Sequence, residues 1–330
     1  MDKGEIFSRI QKMLLDVPMV LLGTGATIPL GIPGMPALSA HLIASIDEKH
    51  NTCPSWITIR NRLNDKIDLE SALADVSLGK ELANDITAKT WELITISDIA
   101  LLKRARQDEN LLMFSRFIKK FYDTSSKCVN IITTNYDRAI EYACDLINVR
   151  VETKYRGNYI RTLSNAPLKF KDVVNLLKVH GSLDLFSDAD NTVFAIPLQT
   201  SIPSGLLPVI VPPGGAKYET VLTDTSYRSI LHETDIIING ANGFLCYGFG
   251  FNDTHIQAQV IEGIKAGKPI TVITKAVSPK TTQLLSNSSK NFVTIEECPN
   301  DAASTRFNID GTYHCLEGVY WTMEGLLTII

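Results

Sequence analysis

Six short apolar runs are spaced along the chain, and each is predicted to be a β-strand. Their apolar character is nearly continuous and does not alternate, which is typical of strands buried on both faces of a parallel sheet. Apolar stripes at helical spacing over Phe114–Phe121 and Ile256–Ile264 predict helices between strands, the second with Asp253 as a candidate N-cap. The predicted strands are Val17–Leu22, Val129–Thr133, Val173–Val179, Gly243–Tyr247, Pro269–Thr274 and Phe292–Ile295.

This alternation of strands and helices predicts an α/β fold, a Rossmann-like parallel sheet with helices on both faces. Roughly a hundred residues separate the first two strands, far more than a βα crossover needs. We therefore expect a mostly helical insertion subdomain over about residues 36–105, within a single domain of residues 1–330. Residues 17–35 and 106–330 would form the core, and Asp184–Thr234, richer in Pro and Gly, receives no assignment.

Composition and charge argue against several classes of protein. The 330 residues are 45% hydrophobic and 21% charged, and 32 Lys and Arg against 36 Asp and Glu give a net charge of −4. This acidic balance argues against direct nucleic-acid binding, and no apolar run approaches the ~18 residues of a membrane span. Both charge signs occur in the first residues, which is unlike a signal peptide, so the predicted location is the cytoplasm. The six cysteines form no Cys-x-x-Cys pair, and we expect reduced thiols and no structural zinc.

Glycine-rich and polar residues follow four of the predicted strands. Because the carboxyl ends of parallel strands meet at one edge of a sheet, the four turns should converge on a ligand site there. The first turn is Gly23, Thr24, Gly25, Ala26 and Thr27, and it continues through Gly31, Ile32 and Pro33. Its glycines would allow a ligand to approach the backbone closely, although they also suit an ordinary turn.

The second and third turns carry the candidate catalytic side chains. Thr133, Thr134, Asn135, Tyr136 and Asp137 form the second turn; Asn135 would hold ribose hydroxyls or a water, or alternatively cap the next helix. His180 opens the third turn with Gly181 and Ser182, and it is either a general base or a structural histidine.

The fourth turn contains Gly248, Gly250 and Asp253, and it would either face the ligand or serve as a plain βα loop. Two other features are interpreted as ordinary surface residues without a role in the ligand site. His255 is expected at the surface near a helix start, and Lys103–Arg106 is expected on a solvated helix face.

Together these turns resemble the sirtuin superfamily. The first resembles its G-A-G-x-S-x-x-x-G-I-P nucleotide loop, the second its T-Q-N-x-D motif, and His180-Gly181 its catalytic H-G. The chain departs from deacylating sirtuins, which continue G-I-P with an acidic residue, Phe and Arg, where this chain has Gly34, Met35 and Pro36. Tyr247–Asp253 and Val211–Pro213 are instead similar to bacterial sirtuin-like proteins of antiphage defence.

The resemblance implies an activity, a substrate and partners. It implies hydrolysis of NAD⁺, as substrate, to nicotinamide and ADP-ribose, with Asn135, His180 and Asp137 catalytic and the other turn residues binding NAD⁺. It also implies abortive infection by NAD⁺ depletion, a homo-oligomer, and a HerA-type ATPase as partner. Two alternatives stay open: a non-catalytic subunit of such an ATPase complex that senses NAD⁺ or ADP-ribose, and an NAD⁺-dependent protein deacylase.

Overall fold

Each of the six predicted strands is present, and they lie in one sheet. The structure, a computed structural model, describes residues 1–213 and 225–330. Its strands are β1 (Met19–Leu22), β2 (Cys128–Thr133), β3 (Val151–Glu152), β4 (Tyr155–Gly157), β5 (Arg161–Leu163), β6 (Val173–Lys178), β7 (Gly181–Ser187), β8 (Val193–Ala195), β9 (Leu207–Ile210), β10 (Phe244–Tyr247), β11 (Ile270–Ile273), β12 (Phe292–Cys298), β13 (Asp301–Ile309) and β14 (Thr312–Glu317).

The main sheet is parallel through its centre. Within the described residues, nine strands pair in the order β14-β13-β12-β11-β10-β1-β2-β6-β3. Pairing is parallel from β12 to β3, whereas β13 and β14 add an antiparallel edge that the sequence pattern did not predict. The mixed α/β fold with a parallel sheet confirms the predicted fold class.

Helices cover both faces of this sheet. Those in the described residues are α1 (Lys3–Leu14), α2 (Met35–His50), α3 (Pro54–Asn64), α4 (Leu69–Leu73), α5 (Lys80–Arg104), α6 (Glu109–Tyr122), α7 (Ala139–Leu146), α8 (Thr225–Gly240), α9 (Thr254–Lys265), α10 (Pro279–Ser288) and α11 (Met323–Ile329). Successive residues of a strand point to opposite faces. Accordingly, Val20 and Leu22 of β1 join a hydrophobic cluster with α1 and α6, while Met19 and Leu21 join one with α9 and α10.

The stretch between β1 and β2 is helical and has a core of its own. Side chains of α2, α3 and α4, together with Leu82 and Ile86 at the start of α5, form a separate hydrophobic cluster. Further along α5, Trp91, Ile94 and Leu101 belong instead to the main core. The treatment of this stretch as a subdomain of a single-domain protein stays a prediction. None of the described helices has the length and apolar character needed to cross a membrane.

A second, antiparallel sheet takes β8, β9 and most of β7 from the region that received no assignment from the sequence, and β4 and β5 from the segment before β6. Its order is β4-β5-β8-β7-β9. Strand β6 of the main sheet ends at Lys178 and β7 of the small sheet begins at Gly181. His180 therefore lies where the chain passes from one sheet to the other.

Candidate active site

A cleft of about 210 Å³ lies at the carboxyl ends of the central strands. Its wall contains residues from all four turns that the sequence singled out. The predicted site residues that line it are Gly23, Thr24, Ile32, Pro33, Thr134, Asn135, Asp137, His180, Gly248, Gly250 and Asp253. The predicted convergence of the turns is thus observed, while the roles of the individual residues stay predictions.

Seven other predicted site residues do not line the cleft. Thr27 and Thr133 are buried, and their hydroxyls hydrogen-bond to residues of neighbouring loops. Gly31 ends a short 3₁₀ helix in a left-handed conformation with φ of 88°. Those that do not line the cleft are Gly25, Ala26, Thr27, Gly31, Thr133, Gly181 and Ser182.

Asn135 is held in a single orientation by its amide group. Its Nδ2 donates to the carbonyl of Gly23 and to Oγ1 of Thr27, both at 3.1 Å. A carbonyl can only accept, so the amide nitrogen must face Gly23. The two bonds use both amide hydrogens, and Oδ1 is buried without a hydrogen-bond partner in the described part of the chain. Oδ1 is therefore the atom of Asn135 that is left to accept a further hydrogen bond.

Thr27 connects Asn135 to Asp137. The Thr27 hydroxyl donates to Oδ2 of Asp137 at 3.1 Å while it accepts from Asn135. The other oxygen of Asp137 accepts from the backbone N–H of Ala139, at the first turn of α7. Burial raises the pKa of the Asp137 carboxyl, and the nearby Lys178 charge acts in the opposite direction. Thr27 therefore links the Asp137 carboxyl to the Asn135 amide by two hydrogen bonds.

His180 forms a close pair with Asp253. The distance from Nε2 of His180 to Oδ2 of Asp253 is 2.7 Å, and both side chains are buried. The second oxygen of Asp253 accepts from the backbone N–H of Ile256 and so caps α9. Because a carboxylate accepts, this contact places the imidazole hydrogen on Nε2 and leaves Nδ1 as the basic nitrogen.

Lys178, which sequence reasoning passed over, joins the second and third turns. Its Nζ donates to the backbone carbonyl of Asp137 at 2.5 Å and to Oγ of Ser182 at 3.2 Å. It also pairs with Glu141 on α7 at 2.6 Å. Burial raises the pKa of Glu141, and Lys178 acts against that rise. A Lys at the end of a strand gives no local sign of these contacts.

The first and fourth turns touch backbone to backbone. Gly25 N–H donates to the carbonyl of Gly248 at 3.1 Å. A Cβ on Gly23 would lie 2.4 Å from that same carbonyl oxygen, and a Cβ on Gly248 would lie 2.2 Å from the backbone nitrogen of Ala26. The approach that these glycines permit is thus between two loops of the protein. In addition, two 3₁₀ helices (Thr24–Ala26 and Ile28–Leu30) follow β1.

We expect Gly248→Ala to destabilise the fold by about 2 to 4 kcal/mol, because it combines a left-handed backbone with a steric clash. The φ of Gly248 is 61°. Gly250→Ala is the matched control, since the nearest atom to a new Cβ there is 3.6 Å away. Urea unfolding of both variants measures the difference, and equal stability would contradict the loop contact.

The insertion and the segment after β9, through Pro213, also contribute to the cleft, which the sequence did not reveal. Met35, Leu38 and Glu70 come from α2 and α4, and Ile94 comes from α5. Tyr136 donates its hydroxyl to the carbonyl of Val211, whose N–H donates to the carbonyl of His180. Among the described residues no group of three or more His, Cys, Asp or Glu side chains is arranged to hold a metal ion.

The chain is similar in part to known proteins. Residues 129–291 match a family model described as a SIR2-like domain. Among solved structures, Sir2Tm bound to a propionylated peptide aligns over 86% of this chain and 91% of its own, with 12% identity and a TM-score of 0.42. A Sir2 homologue mutant in complex with ADP-ribose aligns over 88% and 90%, with 15% identity and a TM-score of 0.43.

A third structure, a Sir2 complex with a p53 peptide and NAD⁺, aligns over 88% of this chain and 92% of its own, with 11% identity and a TM-score of 0.41. No curated protein matches the chain. The family match begins within β2 and includes the second, third and fourth turns, whereas Gly23–Pro33 precedes it. Residues 129–291, with Asn135, His180 and Asp253 among them, thus match a SIR2-like domain.

Proposed function

We propose that the protein hydrolyses NAD⁺ to nicotinamide and ADP-ribose in this cleft. The observation that carries the proposal is that Asn135 and His180, from separate turns, line one cleft with complementary chemistry. Asn135 presents a buried acceptor without a partner in the described residues, and His180 has its tautomer set by Asp253. The match to a SIR2-like domain adds support, because the resemblance to sirtuins implies that NAD⁺ is the substrate.

The proposed reaction breaks the bond between ribose C1′ and the nicotinamide nitrogen. The bonding electron pair passes to nicotinamide, which leaves as a neutral molecule and needs no acid. The ribose becomes oxocarbenium-like, as in glycoside hydrolysis generally. Oδ1 of Asn135 accepts a hydrogen bond from a ribose hydroxyl or from the attacking water. That bond fixes the position of the sugar or of the nucleophile during cleavage.

His180 then serves as general base. As water adds to C1′, a proton of that water passes to Nδ1 of the imidazole. The resulting imidazolium is stabilised by the Asp253 carboxylate, 2.7 Å from Nε2. The overall change is one NAD⁺ and one water giving nicotinamide, ADP-ribose and one proton. Asp253, which the sequence suggested as a contact to NAD⁺, takes the role of orienting the base in this proposal.

The cleft wall leaves room for a ligand near the glycines of the fourth turn. Gly250 lines the cleft, and a Cβ there would meet no protein atom closer than 3.6 Å. Packing within the protein therefore does not demand a glycine at this position. We infer that the approach of NAD⁺ demands it, with the pyrophosphate along Gly23 and Thr24 and the fourth turn facing it.

The biological setting that we propose rests on the sequence resemblance of Tyr247–Asp253 and Val211–Pro213. In that setting the protein is a cytoplasmic effector of bacterial antiphage defence that causes abortive infection by depleting NAD⁺. It would act as a homo-oligomer and with a HerA-type ATPase. Expression together with such an ATPase, followed by size-exclusion chromatography, tests the assembly.

The activity is tested by incubating the full chain with NAD⁺, with and without an acetyl-lysine peptide, and resolving products by mass spectrometry. Nicotinamide and ADP-ribose in equal amounts, without need of peptide, are expected. Formation of O-acyl-ADP-ribose would identify a deacylase instead. Stoichiometric binding of NAD⁺ or ADP-ribose in calorimetry without nicotinamide release would identify a sensor, and either result contradicts the proposal.

A further inference from the structure

Helix α5 contacts three of the four turns that form the cleft, although it belongs to the stretch inserted between β1 and β2. Near its C-terminus, Nη2 of Arg104 donates to the carbonyl of Leu30 in the first turn at 2.9 Å. Asp98 binds Arg138, the residue that directly follows Asp137 in the second turn. Nε1 of Trp91 donates to the carbonyl of Leu183, just after the third turn, at 2.9 Å. None of these three α5 residues lines the cleft.

The contact between Asp98 and Arg138 is the strongest of the three. Asp98 is fully buried, and its carboxylate accepts from the Arg138 backbone N–H at 2.7 Å and from Nε and Nη2 at 3.0 and 2.6 Å. It also accepts from the hydroxyl of Tyr142 at 2.7 Å. Both guanidinium donors reach Oδ2 and the backbone N–H reaches Oδ1, and such a set of charge-assisted bonds to one buried carboxylate has a narrow range of geometries. The position of α5 therefore determines where the chain enters α7, directly after Asp137.

The other two contacts reach the remaining turns. Trp91 is buried and packs edge to face on Phe186 of β7, with ring centroids 5.7 Å apart, so its indole N–H reaches Leu183 in a defined orientation. Leu183 N–H in turn donates to the carbonyl of Tyr136, which ties the third turn to the second. Arg104 bridges Leu30 and Asp108, although 54% of its side chain is exposed, in line with the solvated helix face that the sequence suggested.

Two separate cores share this helix. Leu82 and Ile86 pack in the cluster of the inserted helices, whereas Trp91, Ile94 and Leu101 pack in the main core. Trp91 and Asp98 are seven residues apart, about 10 Å along the helix and on the same face. A displacement of α5 imposed by the inserted helices would therefore be felt at all three turns together.

We propose that Trp91, Asp98 and Arg104 are positioning residues for the reaction. They fasten the first, second and third turns to one rigid helix. The position of α5 thereby sets the distances between the first turn, which would bind the pyrophosphate, Asn135, which would orient the ribose or water, and His180, the proposed base. The proposal rests on the proposed function for its kinetic consequence, whereas the fastening itself can be measured without NAD⁺.

Three variants, Trp91→Phe, Asp98→Asn and Arg104→Ala, test the fastening by hydrogen–deuterium exchange in the absence of ligand. Each is expected to accelerate exchange by about fivefold in its own turn, because one set of hydrogen bonds is lost. Trp91→Phe should act on residues 181–184, Asp98→Asn on residues 135–142, and Arg104→Ala on residues 28–32. Trp91→Phe keeps an aromatic ring in the core, so it stays informative if Asp98→Asn fails to fold.

Each variant has a matched control inside the inserted helices. Nε1 of Trp56 donates to Asp47, Asp47 pairs with Arg60, and Arg62 donates to the carbonyl of Ala74. Trp56→Phe, Asp47→Asn and Arg62→Ala thus remove the same kinds of bond without touching a turn. The controls should leave exchange in the three turns unchanged.

Kinetics supply the second measurement. The α5 variants are expected to lower kcat by up to about 10²-fold, the scale of a misplacement of roughly 1 Å at reacting groups, with a smaller change in KM. Unchanged exchange in the turns, or equal loss of kcat in the control variants, would overturn the proposal. Faster exchange in a chain whose wild type cleaves no NAD⁺ would uphold the fastening and contradict only the proposed function.

Discussion

Replacing His180 with alanine is expected to lower kcat for NAD⁺ cleavage by about 10²- to 10⁴-fold, the usual cost of removing a positioned general base. His180 lines the cleft and pairs with Asp253. Binding of ADP-ribose, measured by calorimetry, should change little, because the imidazole acts on the water and not on the nucleotide. A kcat equal to that of wild type would contradict the role of His180 as general base.

Asp253→Asn is expected to lower kcat almost as much as His180→Ala does, while the fold is retained. The amide oxygen can still accept from the Ile256 N–H and cap α9, whereas the amide nitrogen would face Nε2 of His180. A donor there moves the imidazole hydrogen to Nδ1 and removes the basic nitrogen, a change that is costly in other His–Asp pairs. The loss is measured as the steady-state kcat for nicotinamide release, and a kcat equal to that of wild type would contradict the role of Asp253.

A second His–Asp pair provides the control for these variants. Nε2 of His255 lies 3.3 Å from Oδ1 of Asp235, and neither residue lines the cleft. Asp235→Asn and His255→Ala therefore change the same chemistry elsewhere on α8 and α9. Both should keep wild-type kcat, and a comparable loss in either one would mean that the effect of Asp253→Asn is not specific to the cleft.

Asn135→Ala is expected to lower kcat by roughly 10²- to 10³-fold, as seen when one oriented polar group is removed from other reaction centres. The variant loses the acceptor Oδ1 and also frees the carbonyl of Gly23 and the Thr27 hydroxyl from their donor. Steady-state measurement of nicotinamide release gives the loss, and Asn135→Asp should not restore activity. A carboxylate would oppose the Gly23 carbonyl with a second acceptor.

Asn175 is the matched control for this variant. It is a buried asparagine whose Nδ2 donates to two acceptors at 2.8 Å and whose Oδ1 likewise lacks a partner in the described residues. It lies within β6 and does not line the cleft. Asn175→Ala should lower the stability but keep kcat. If both asparagine variants lowered kcat equally, the loss in Asn135→Ala would not be specific to the acceptor in the cleft.

Local sequence was sufficient to predict the strands and the turns that follow them. A buried parallel strand requires a nearly continuous apolar run, and glycine or polar residues then mark its end, so the positions of Gly23, Asn135 and His180 could be predicted from a few neighbours each. The edge strands β13 and β14 could not be predicted in this way. Their partly exposed residues are under weaker constraint than those of the central strands.

The pairings within the site lay beyond prediction for a different reason. Asp253 carries the local pattern of a helix cap, and it does cap α9, but nothing near it reveals that its other oxygen meets His180. Lys178 and Asp98 likewise act on residues that are distant in sequence. Such contacts depend on how the small sheet and α5 pack, which periodicity alone does not determine.

The contact between Gly248 and Gly25 has a consequence for biosynthesis. The two turns meet only when β10 has docked beside β1, and the strand pairing shows that these neighbours come from distant parts of the chain. Synthesis proceeds from the N-terminus, so β1 leaves the ribosome well before β10 does. The cleft thus stays incomplete on a nascent polypeptide until β10 and the cap of α9 have emerged from the ribosome, so about three quarters of the chain must be synthesised before the four turns can meet.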